Sequence, residues 1–162
     1  MVSMVATIKN VHVRLIHSSL VTSSFLPTCK IRESDLCSFC HQDKETIEHL
    51  FWTCPVVHAF WEELIACFWP YIDMSAVLNL RNVLLGITNT KQFELINLII
   101  LMVKRYIYVQ RCKEAYLNLI GFINILKRSY NLEVEIYKDK SVMVKGRQDE
   151  KWRPLLGVLK QT

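Results

Sequence analysis

Residues 37–54 read CSFCHQDKETIEHLFWTC, and in them Cys37, Cys40, His49 and Cys54 stand at a C-x2-C-x8-H-x4-C spacing. Two cysteines two residues apart turn both sulfurs toward one point, which is half of a tetrahedral cage. The charged loop 42–45 brings the chain back to supply the other half. Three thiolates and one imidazole fill the four positions around zinc and leave none open, which is the pattern of a structural site and not a catalytic one. The expected cofactor is therefore structural Zn2+, held by Cys37, Cys40, His49 and Cys54.

Two other histidines compete for the fourth position. His41 directly follows Cys40 and would force adjacent side chains onto one ion. His58 lies four residues after Cys54, on the same face of any helix they share, so a C-x2-C…C-x3-H set is a real rival. Pro55 favours His49, because it marks a fresh helix start with Cys54 near the N-cap, where the helix N-terminus also biases a thiol toward thiolate. A thioredoxin-like pair would need a buried strand before CSFC, and the flanking SDL and HQDK offer none. A Cys-His nucleophile needs one activated thiol in a cleft, whereas three cysteines around one histidine favour metal.

The rest of the composition fits a helical chain. Half of its 162 residues are hydrophobic and only four are glycine and four proline, so one core can form without the many turns of an all-β fold. The expected class is mainly α, a small CCHC zinc-knuckle lobe followed by a helical bundle or hairpin. The lobe with its leading and following helices would span 1–70 and the hairpin 71–162, as one compact unit. Six cysteines without a secretory signal suit a reducing, intracellular compartment, nucleus or cytoplasm.

Along the chain, 5–20 fits an amphipathic helix carrying His12 and His17, which read as ordinary surface or core histidines. Pro27 then breaks the chain, and 28–35 is a polar connector containing Cys29. After Pro55, Val56, Val57, Phe60, Trp61, Leu64, Ile65 and Phe68 recur at helical spacing up to Pro70. Trp52, Trp61 and Trp69 tempt as base-stacking platforms, but their aliphatic neighbours favour core packing, and Cys67 reads as a small core residue. Residues 71–90 form a connector with a short apolar turn over 83–87, where Gly86 marks a bend or a helix end, and Asn89 can cap a helix over 91–112. Its run 95–103 is nearly all apolar but too short to span a bilayer, so no membrane segment is expected. A second helix over 114–130 would pair with it as an antiparallel hairpin, with Trp152 of the charged tail docking on the bundle.

The charge is segregated. Residues 1–60 are balanced, 61–102 carry a net −2, and 103–162 hold thirteen Lys and Arg against six Asp and Glu. Lys104, Tyr108 and Arg111 fall at i, i+4 and i+7, placing a ring between two cations as single-stranded nucleic acid would use them. Arg105, Lys127 and Arg128 extend this candidate set. The competing reading is a solvated basic face.

The run SDLCSFC followed by ETIEHLFWTCPVVHAFW resembles the zinc-binding domain at the carboxyl end of reverse transcriptases from non-LTR (LINE-type) retrotransposons. VLLGI, VKRYIYVQRC and the DEKWRPLL tail are similar to it as well. The resemblance implies the histidine of EHLF, His49, as fourth ligand. It further implies a role beside the polymerase, holding template RNA and target DNA, with the parent reverse transcriptase as a further partner. No P-loop, dinucleotide turn or paired carboxylate site is present, so a non-enzymatic piece without small-molecule substrate is expected. The alternatives are a structural protein-interaction domain with a structural zinc, or a remnant of a decayed element without present function.

Overall fold

A computed structural model describes residues 35–88 and 93–160. The expected leading helix, His12, His17, Cys29 and the Asn89 cap lie outside them. A π-helical turn, His49–Thr53, is followed by α1 (Pro55–Phe68), α2 (Leu80–Leu85), α3 (Glu94–Cys112), α4 (Leu119–Tyr137) and α5 (Val142–Trp152). A 3-10 turn, Arg153–Leu155, then leads into α6 (Leu156–Lys160). No strand occurs among the described residues, only an isolated antiparallel bridge between Leu36 and Lys44, so the protein is mainly α.

Helix α1 starts where its proline allows it, since Pro55 at the first position lacks only an N–H that would have no helical partner anyway. It buries Val57, Phe60, Trp61, Leu64 and Phe68, each stabilising by roughly 1.5–3 kcal/mol. Val56, from the same apolar pattern, is exposed. Phe60 meets Tyr106 of α3 and Phe122 of α4 with ring centroids 5.7 and 6.1 Å away, the second edge-on, so one aromatic cluster ties three helices together.

Helix α3 buries Leu95, Ile96, Ile99, Ile100, Met102 and Val103, as its apolar run requires. It pairs with α4 in the antiparallel sense: Tyr106 touches Phe122 near the start of α4, while Glu94 and Tyr137 line one pocket at the other end. The second helix of the hairpin was expected over 114–130 but runs Leu119–Tyr137. Two local devices shift it. Glu114 turns into the left-handed region, with φ 52, and ends the α3 path, and the Asn118 side chain accepts from Gly121 N–H to cap α4. Tyr106 fixes that cap, donating its hydroxyl to Asn118 O at 3.0 Å and accepting from Asn118 N–H at 3.2 Å.

The 71–90 connector contains a helix that hydrophobic periodicity does not reveal. Asn79 Oδ1 accepts from Asn82 N–H at 3.0 Å to start α2, and Gly86, at φ 86, ends it. Asn97 of α3 grips the following residue through both amide atoms, accepting from Ile87 N–H at 2.8 Å and donating to Ile87 O at 3.1 Å. The carboxyl-terminal tail docks through Trp152, which is fully buried, stacks edge-on with Tyr130 and donates Nε1–H to Glu133 at 2.8 Å. Beyond it Gly157 lies so close to the Tyr71 ring that a Cβ there would fall 2.1 Å from Cε1, so α6 seats its backbone directly on that ring.

Lys104 departs from its expected place on a solvent-facing basic stripe. It is 1% exposed, and its Nζ donates to Leu84 O at 3.1 Å. Leu84 sits in the last turn of α2, where carbonyls have no helical partner, so Lys104 caps that helix from α3. Burial pulls its pKa down to about 7, against an ordinary 10.5. Between those two values the unfolded chain holds a proton the folded chain has released, so stability at this position rises with pH across that window and is least below it. The slope reaches at most about 1.4 kcal/mol per pH unit. Urea unfolding of wild type and Lys104→Met at about pH 6 and about pH 9 should show the difference moving in favour of wild type at the higher pH. A pH-independent difference would contradict the buried, partly neutral lysine.

Candidate metal centre

The knuckle is built from a tight turn stitched at both ends. Cys37 N–H donates to Asp43 O at 2.8 Å and Glu45 N–H to Asp35 O at 2.9 Å, closing the loop on itself around the Leu36–Lys44 bridge. His41 N–H donates to Cys37 O at 3.0 Å, and His41 itself adopts φ 55, so its side chain turns out to solvent while Cys37 and Cys40 turn in. The N–H of Phe39 points at Cys37 Sγ from 3.4 Å. Backbone donors on sulfur of this kind support a thiolate.

The second pair of donors comes from the π turn. Thr46 Oγ1 accepts from His49 N–H at 3.0 Å and so caps the helical path into it. On an α-helix, residues five apart sit about 140° from each other at about 100° per residue. The turn is closed instead by Cys54 N–H donating to His49 O at 2.9 Å, five residues back, which brings both side chains round to one side. Trp61 Nε1–H, donating to Phe51 O at 3.0 Å, satisfies one of the carbonyls this wide turn leaves open.

The four donor atoms of Cys37, Cys40, His49 and Cys54 lie within 4.8 Å of one another. Cys37 Sγ is 3.8 Å from Cys54 Sγ, and Cys40 Sγ is 3.3 Å from His49 Nε2. Bonds of about 2.3 Å to sulfur and about 2.0–2.1 Å to nitrogen around a tetrahedral ion imply sulfur–sulfur gaps of about 3.8 Å and sulfur–nitrogen gaps of about 3.6 Å. The donor set therefore fits a tetrahedral metal ion in spacing and in softness. The Nδ1 side of His49 faces Thr53 Oγ1 at 3.4 Å, a hydroxyl placed to hold the ring with Nε2 toward the sulfurs.

Cys54 sits at the entry to α1 with φ −62 and ψ 126. Its thiol is held below the ordinary value because Cys37 donates to it, burial opposing, with the N–H groups of Val57 and Val56 adding to the lowering. The same pairing, together with burial, pushes the Cys37 thiol up. His58 is not among these donors: it is exposed, edge-on to Trp52 at 5.5 Å, and 3.7 Å from Glu62.

A residue that spacing gave no reason to single out holds the knuckle in place. Glu45 is fully buried, and it accepts from Ser38 N–H within the knuckle at 3.1 Å. Its other oxygen accepts from Arg111 of α3, from Nε at 3.0 Å and from Nη2 at 2.7 Å. Arg111, 7% exposed, is disfavoured by burial, but Glu45 outweighs that and its pKa is raised. Arg111 and Lys104 are thus internal ties and do not make the open basic face expected at i and i+7. The cause in each case is a partner on another element, Glu45 for one and the end of α2 for the other. Tyr108 is half-buried beside Arg111, with the guanidinium 6.0 Å from the ring centroid. Arg105 and Lys127 are half-buried and Arg128 is exposed.

Among the described residues, no helix is long and apolar enough to cross a membrane. No curated protein and no solved structure matches the chain. Residues 2–61 match the family described as zinc-binding in reverse transcriptase, while VLLGI, VKRYIYVQRC and DEKWRPLL fall beyond the match. All four candidate ligands lie inside the matched segment, whose donor set is compatible with a structural metal ion.

Proposed function

We propose that this protein is a non-catalytic nucleic-acid-binding module in which Zn2+, held by Cys37, Cys40, His49 and Cys54, fixes the amino-terminal lobe against a basic helical hairpin. The observation that carries it is the convergence of three sulfurs and one imidazole inside the reverse-transcriptase zinc-binding segment. When bound, the ion supplies a cross-link and no open coordination position for chemistry. Glu45 and Arg111 extend that cross-link to α3, the helix on which the basic third of the chain begins.

The nucleic-acid half of the reading rests on charge. Thirteen of the twenty Lys and Arg fall in 103–162, and phosphate binding by such residues releases counterions. Fluorescence anisotropy with a single-stranded RNA is the test. Three phosphate contacts should weaken binding about twentyfold between about 50 and about 200 mM salt. An affinity indifferent to salt, or no binding, would contradict the reading.

Exposed apolar side chains favour a second reading, a docking domain for a protein such as the parent reverse transcriptase. Leu132 and Ile136 on α4, with Val142 and Met143 at the start of α5, stand in solvent. Charge changes in the hairpin would leave that association intact while abolishing RNA binding.

A further inference from the structure

The antiparallel helices α3 and α4 leave a groove of about 320 Å³ between them, on the side where Arg105, Lys113 and Arg128 converge. No Asp or Glu lines it. Outside the groove, Arg111 pairs with Glu45, Lys104 donates to Leu84 O, Lys138 pairs with Glu135, and Lys151 of α5 pairs with Glu133. Arg105, Lys113 and Arg128 have no ion pair among the described residues. Three cations gathered around one concavity without a carboxylate focus a positive field that an anion relieves.

The rest of the lining says which anion. Met102, Val109 and Ile125 make part of the groove apolar, and Gln110 adds one amide with both a donor and an acceptor. A lone phosphate needs no apolar surface, whereas a nucleotide brings a flat ring beside its charge. The volume is at the lower edge of ordinary ligand clefts, about 300–1,000 Å³. That admits one nucleotide and excludes a duplex, whose bases are stacked and paired out of reach.

We infer that the groove between α3 and α4 takes one nucleotide of an unpaired strand, phosphates on Arg105, Lys113 and Arg128, base against Met102, Val109 and Ile125 with Gln110 at its edge. This rests on the nucleic-acid reading above and narrows it to a place and to single strands. It also moves the contact away from the Lys104 and Arg111 stripe, whose cations are occupied.

The test uses the full zinc-loaded chain, a labelled twelve-nucleotide oligouridylate and fluorescence anisotropy. Arg105→Gln combined with Arg128→Gln is compared with Lys140→Gln combined with Lys145→Gln, an equal charge change outside the groove. Thermal melting checks that both variants fold. The groove variant should lose at least about tenfold in affinity and flatten the log–log salt slope by about 1.4, with the other variant close to wild type. A double-stranded RNA of the same length should compete poorly. Equal losses in the two variants, or none in the groove variant, would overturn the groove while leaving the nucleic-acid reading standing. Equal competition by the duplex would overturn the single-strand assignment. A wild-type chain that binds no RNA would sink both.

Discussion

Withdrawing the metal with a strong chelator, or replacing Cys37 with serine, is expected to unfold the knuckle and the π turn. Besides the ion, the lobe is held by the Glu45–Arg111 pair and by the buried Leu50 and Phe51 of the π turn, while the loop 41–44 is exposed. Structural zinc in finger peptides contributes an apparent 10 kcal/mol or more at neutral pH. A loss of that order exceeds what a domain of this size can absorb locally. Trypsin should then cut after Lys44, whose backbone is held in the bridge to Leu36 while the ion is present. The far-ultraviolet helical signal should fall less, because α3 and α4 keep their own buried faces. A chain equally resistant to trypsin with and without chelator would contradict this.

The next largest effect is expected at Glu45. Truncation to alanine strips the carboxylate from Arg111 and leaves a guanidinium that is 7% exposed without its anion. Breaking a buried pair from one side costs about 3–5 kcal/mol. Ser38 N–H loses its acceptor at the same time, so metal affinity should fall about 10–100-fold, as for other residues that orient a metal's ligands. Chemical denaturation and competition with a zinc indicator read the two losses separately. Combining Glu45→Leu with Arg111→Met removes both charges and should recover much of the stability but not the metal affinity, because Ser38 N–H stays unanswered. Equal stability of the single and double variants would show that the buried charge is not the cause.

What could be read from the residues alone depended on how far apart the interacting partners lie. The donors converge within eighteen residues, and their chemistry is so narrow that spacing nearly determines the outcome. Pro55 likewise announced the start of α1, and the apolar run of α3 announced its burial. Lys104 and Arg111 were the opposite case. Periodicity places them on one side of α3 but does not say which way that side faces. That is decided by Glu45, 66 residues before Arg111, and by the end of α2, 20 residues before Lys104. The start of α2 went unmarked and that of α4 was set too early because single asparagines, Asn79 and Asn118, set these starts by side-chain caps, and a polar residue in a connector looks the same whether or not it caps. Glu45 sat in a charged loop among Asp43 and Lys44, and nothing local distinguishes the one carboxylate that turns inward.

Metal analysis of the purified chain, with cobalt substituted for zinc and its absorption spectrum recorded, tests the central claim most directly. One ion per chain should be found, with the intense thiolate charge-transfer bands and tetrahedral d–d bands of three sulfurs and one nitrogen. His49→Ala should shift those bands, and His58→Ala should leave them unchanged. A chain that comes out without metal, or a spectrum indifferent to His49, would contradict the account.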